Sequence, residues 1–81
     1  MTLEPPFDRI TIDPEQMNGQ PCVRGMRLTV RRVLLALATS PDRNELFQEY
    51  PELDEEDLKQ VLAFSAAGLG RASEFHLRRH L

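Results

Sequence analysis

Tyr50-Pro51-Glu52-Leu53-Asp54-Glu55-Glu56-Asp57-Leu58 is the stretch on which the fold of this 81-residue chain turns. Pro51 ends the helix that precedes it, and Asp54 is a helix N-cap followed by acids that suit the positive end of a new helix. Only Pro51-Glu52-Leu53 separates the two, so they must cross at a large angle with Leu53 tucked between them, which is helix-turn-helix geometry. Downstream, Leu58, Val61, Leu62 and Ser65 share one face up to Gly68, a third helix. Upstream, Leu46, Phe47 and Tyr50 form the buried face of a short second helix, with Ser40 as cap and Pro41 at its first position. Val30, Val33, Leu34 and Leu37 recur at i, i+3, i+4 and i+7 and make a first helix, capped by Thr29 and stopped by Ser40-Pro41.

Before Thr29 the period changes. In Arg9-Ile10-Thr11-Ile12-Asp13 the β-branched Ile10 and Ile12 fall on one face of a short strand. Asn18-Gly19 tolerates positive φ, and Val23 and Gly25 lead into Arg27-Leu28-Thr29-Val30, so this region reads as a small hairpin or β-ribbon. Residues 1–8 hold Pro5 and Pro6 without a periodic pattern and read as a flexible arm; residues 69–81 form a basic tail that could add a short helix. The expected fold is therefore mainly α: a short N-terminal β-ribbon before a three-helix helix-turn-helix bundle, one domain over residues 9–68.

A chain this short hides only roughly 60–65 % of its unfolded surface. Its single cysteine, Cys22, excludes an internal disulfide, so a homodimer is the expected supplement to a thin core. The start Met1-Thr2-Leu3-Glu4-Pro5-Pro6 has no basic region followed by an apolar run, and no stretch approaches the ~18 apolar residues of a membrane span, so a cytoplasmic location is expected. The net charge of −3 conceals a separation of signs. Residues 21–32 carry Arg24, Arg27, Arg31 and Arg32 without an acid, whereas residues 42–57 carry eight acids and only Arg43.

Three pieces of this chain resemble the domain-of-unknown-function family numbered 433, many of whose members are described as VapB-type antitoxin candidates. They are Arg9-Ile10 with Asp13-Pro14; Asn18-Gly19-Gln20-Pro21-Cys22-Val23-Arg24-Gly25-Met26-Arg27-Leu28-Thr29-Val30, similar to the family's Gly-x-Pro-x-Ile-x-Gly-Thr-Arg-Ile-x-Val; and Tyr50-Pro51-Glu52-Leu53 ahead of an acid-capped helix. The resemblance spans residues 9 to 67 and departs from the family at Met26, where threonine is usual, and in the tail. It implies a homeodomain-like or winged-helix-like bundle, a link to transcriptional regulation and a partner resembling a PIN-type nuclease toxin.

Arg24, Arg27, Arg31 and Arg32 are the candidate nucleic-acid-binding residues, because a planar guanidinium matches phosphate oxygens; the plainer alternative is a solvated face or pairing with the acids of residues 42–57. Four such contacts per subunit of a dimer would give a slope of log affinity against log salt of roughly −7. Asp54, Glu55, Glu56 and Asp57 stand where a recognition helix would meet base edges, and free carboxylates there would repel DNA. Either the ribbon and the first helix face the DNA, or these acids engage a basic protein surface, or they are simply a well-capped helix start. His76 and His80 share a helix face without a third ligand, and Cys22 has no partnered histidine, so no metal, cofactor or nucleophile is expected. No phosphate loop, serine elbow or zinc pattern is present, so the chain reads as a binding protein and not an enzyme, without a small-molecule substrate. The expected function is an antitoxin-like, DNA-binding regulator of a toxin–antitoxin pair; the alternative is a protein-interaction module whose helix-turn-helix is only scaffold.

Overall fold

A computed structural model describes residues 1–40 and 42–68 with their side chains and the backbone path of residues 69–80. Strand β1 (Ile10–Thr11) pairs antiparallel with β2 (Cys22–Val23), Ile10 opposite Val23 and Thr11 opposite Cys22, and helices α1 (Val30–Thr39), α2 (Arg43–Glu49) and α3 (Glu55–His80) follow. This is the mainly helical, ribbon-first architecture read from the sequence. A 3₁₀ turn at Met17–Gly19 joins the strands, with Gly19 at φ 77° and Gly25 at φ 70°, as the glycine placement requires.

The core is the meeting of ribbon and helices. Ile10, Val23, Val30, Val33, Leu46, Leu53, Leu58 and Val61 are buried together, and α1 packs against both α2 and α3. Leu53 is buried in the turn between α2 and α3, where the tight linker places it. Thr29 caps α1, its hydroxyl accepting from the Arg32 N–H at 3.0 Å.

Four details depart from the sequence reading. Residues 1–8 are laid along the ribbon: the Leu3 N–H donates to the Ile10 carbonyl at 3.0 Å, the Ile12 N–H to the Met1 carbonyl at 2.8 Å, and Phe7 meets Phe64 edge-on with centroids 5.5 Å apart. The cause is the open edge of β1, whose unpaired groups the arm satisfies, together with the apolar anchors Leu3 and Phe7. The cap of α2 is Asp42, which accepts from the Asn44 N–H at 2.9 Å; Ser40 ends α1, its N–H bonding the Ala36 carbonyl, and its hydroxyl turns to Glu45. Leu62 is 39 % exposed, off the Leu58–Val61 face, because the core stripe is narrower than the sequence pattern. Finally, α3 does not stop at Gly68 but runs to His80. An interior glycine costs only about 1 kcal/mol against alanine, and Ala66 and Ala67 precede it with the best helix propensity. Pro41 and the side chains of the basic tail, including His76 and His80, lie outside the described residues.

Candidate functional site

The charged residues are organised around the first turn of α3. Arg9 enters β1 and Arg24 leaves β2, two strand ends that the pairing Ile10–Val23 holds side by side. Arg24 adopts φ 47° and Gly25 follows at φ 70°, a left-handed pair that turns the chain so the Arg24 guanidinium faces α3. Its Nε and Nη2 donate to the two oxygens of Asp57 at 2.9 and 2.8 Å, and Nη2 also reaches the Glu52 carbonyl. Arg9 Nη1 donates to Asp54 Oδ1 at 2.6 Å and to Asp57 Oδ1 at 3.0 Å.

Asp57 is wholly buried, yet it is matched by two guanidinium groups and the Asp54 N–H at 3.1 Å. Asp54 in turn accepts from the Asp57 N–H at 2.8 Å, so the two aspartates cap α3 reciprocally. Behind them the buried Gln60 accepts from the Arg9 N–H at 2.8 Å and donates to Asp8 and Glu56. Among the described residues no buried side-chain nitrogen or oxygen lacks a partner. The cluster thus ties ribbon, helix-turn-helix linker and α3 into one unit.

Of the predicted arginines, Arg24 is therefore held by α3, and Arg32 donates from Nε to the Tyr50 hydroxyl at 3.0 Å. Arg27 and Arg31 are exposed and form no ion pair with a described residue. All four predicted acids are engaged: Asp54 and Asp57 as above, Glu55 by Arg43 at 2.7 Å and Glu56 by Gln60 at 3.0 Å. Arg9 escaped the sequence reading as a functional residue; its signal was a lone cation opening a β-branched strand. Tyr50, read only as a core residue, stands between two surface hollows. One, of about 180 Å³, includes Arg32, Leu35, Ala36 and Glu49; the other, of about 320 Å³, includes Met26, Arg27, Leu28 and Glu52.

The Asp54 carboxyl is held below its ordinary value of 3.8, chiefly by the Arg9 hydrogen bond and next by the Asp57 N–H. A carboxylate depressed in the folded state adds stability above its unfolded pKa, and that stability is lost as pH falls through the lower folded value. Chemical denaturation between pH 7 and pH 2 should therefore show an acid-side loss that starts near 3.8 and is smaller in Asp54→Asn, which keeps a capping side chain. Burial pushes the Cys22 thiol up, so it stays protonated at neutral pH and unreactive, its Sγ 3.4 Å from the Gln20 carbonyl. Among the described residues no group of three histidine, cysteine, aspartate or glutamate side chains is placed to hold a metal, and no helix is long and apolar enough to cross a membrane.

No curated protein and no solved structure matches the chain. The family described as "Protein of unknown function (DUF433)" matches residues 10–65, which take in the ribbon, α1, α2 and the capped start of α3, and the chain belongs to that family.

Proposed function

We propose that this chain is an antitoxin-like regulator, a binding protein and not an enzyme, that acts as a homodimer on DNA and on a nuclease-like toxin. One observation carries the DNA part: Arg27 and Arg31 stand exposed without an ion pair to a described residue, while the acids at the start of α3 are each held by an arginine or by Gln60. The three carboxylates paired with arginine repel a polyanion far less than free ones, and only Glu56, bonded to the neutral Gln60 amide, keeps its full charge, which weakens the main objection to docking a helix-turn-helix on DNA. Arg27 precedes α1 and Arg31 lies in its first turn, so both residues stand near the positive N-terminal end of that helix, where phosphate binds favourably.

With two arginines per subunit on phosphates, the salt slope of a dimer becomes about −4. A gel shift with the DNA upstream of the gene tests this. Salt-sensitive binding that disappears in Arg27→Ala/Arg31→Ala is the expected result, with thermal unfolding unchanged. A second reading, an interaction module whose helix-turn-helix is scaffold, is favoured by the two hollows beside Tyr50. A folded protein that shifts no DNA at low salt would select it.

A further inference from the structure

We propose that the hollow between α1 and the end of α2 is the seat of a second copy of this chain, joined about a two-fold axis with Arg32 of each copy facing Glu49 of the other. This specifies the dimer of the preceding reading without depending on DNA binding. α1 carries two stripes. Val30, Val33, Leu34 and Leu37 face the core, whereas Arg32, Leu35 and Thr39, with Ala36 on the border between the two stripes, line the hollow, which Glu49 and Tyr50 close from the other side. Leu35 is 50 % exposed there, among the most exposed large apolar side chains of the described residues.

The charges select the occupant. A nucleic acid would meet the Glu49 carboxylate, and a partner of one sign would match only Arg32 or only Glu49. Both signs stand on the same rim; the Arg32 Nε is held by the Tyr50 hydroxyl and feels the Glu49 charge of its own chain, yet among the described residues neither Arg32 nor Glu49 is within ion-pair distance of an opposite charge, so each can still meet one from a second copy. A surface that carries a cation and an anion side by side is complementary to itself after a two-fold rotation, because residue i then meets j while j meets i. Tyrosine and arginine around a hollow of about 180 Å³ supply the anchors such an interface uses, and the exposed Leu35 adds apolar area to bury. The chain also has a reason to pair: its one cysteine is free and buried, so no disulfide supplements a core this small.

Sedimentation equilibrium of the full chain and four variants tests the proposal, with circular dichroism confirming that each is folded. The parent should be a dimer. Leu35→Asp, Arg32→Glu and Glu49→Arg should each weaken dimerisation roughly a hundredfold, the last two through like charges set face to face. Mixing Arg32→Glu with Glu49→Arg chains should restore dimers, since both contacts then join opposite signs, and so should the double variant Arg32→Glu/Glu49→Arg. A monomeric parent would overturn the proposal, as would single variants that stay dimeric or a mixture that stays monomeric. DNA binding plays no part in these readouts, so failure here leaves the Arg27–Arg31 test standing.

Discussion

Replacing Arg24 with alanine is expected to lower the free energy of unfolding by about 3 kcal/mol, measured by urea denaturation at pH 7. The carboxylate it leaves behind is wholly buried, and Arg9 alone cannot match both oxygens, since its Nη1 is shared with Asp54. A buried ion that loses a bidentate partner keeps its desolvation cost while losing the compensation, which is why removing one side of such a pair is far worse than never having built it. Backbone geometry offers a separate control. Position 24 sits at φ 47°, where alanine is strained and glycine is not, so Arg24→Gly should be about 1 kcal/mol more stable than Arg24→Ala although both lack the guanidinium. Asp57→Ala should cost a similar amount through the loss of the cap and of both arginine contacts, and the double variant should fall well short of the sum. Strict additivity would mean that the Arg24–Asp57 contact contributes nothing.

The same result bears on function. A DNA-binding defect in an Arg24 variant reports on the fold as much as on phosphate contact, because this arginine orients the ribbon against α3. Arg27 and Arg31 form no ion pair with a described residue, so under the proposed DNA binding their loss should weaken binding without lowering stability. Two classes of arginine that look alike in the sequence are thereby separable by one pair of measurements, unfolding free energy and salt slope.

The helices were legible because their information is local. Thr29 as cap and the Val30–Val33 spacing are readable within a few residues, and they define α1 as observed. The short linker with Leu53 at its end fixed the relation of α2 to α3 for the same reason. The clamp was legible only as a class: pairing of the arginines with the acids of residues 42–57 is the plainer alternative and Arg24 bears it out, but the particular partners were not, since Arg9 and Arg24 meet Asp57 across 48 and 33 positions, distances over which no periodicity runs. Asp54 was recognised as a cap, but its reciprocal partner is an aspartate where the usual signature has glutamate or glutamine. The N-terminal arm misled because its order comes from an edge on another strand and not from any pattern of its own. The acids at the start of α3, for which a well-capped helix start was one reading and a basic protein surface another, are three ion-paired groups and one hydrogen-bonded to Gln60, and which neighbours hold them is set by the fold.

Leu58→Asp is expected to abolish folding, seen as loss of the helical circular-dichroism signal and of a cooperative transition, while Glu55→Ala should change stability by no more than about 0.5 kcal/mol. Leu58 has no accessible surface and belongs to the buried cluster of Ile10, Val23, Val33 and Val61, where ribbon, α1 and α3 meet. Its N–H bonds the Asp54 carbonyl at 3.1 Å, so the position also lies in the turn that starts α3. Truncating a buried leucine to alanine alone costs about 2–5 kcal/mol, and an ionised carboxylate in the same place adds several more because the buried cluster around Leu58 is apolar. At the ordinary margin of about 0.1 kcal/mol per residue, an 81-residue domain has only about 8 kcal/mol to lose. Glu55 is three positions earlier and solvent-exposed, and its pair with Arg43 joins side chains 54 % and 66 % exposed, a setting in which ion pairs contribute little. The contrast therefore tests the register of α3 directly: a helix rotated by one residue would bring Asp57 toward solvent and Leu58 off the core, and the two variants would then be equally stable.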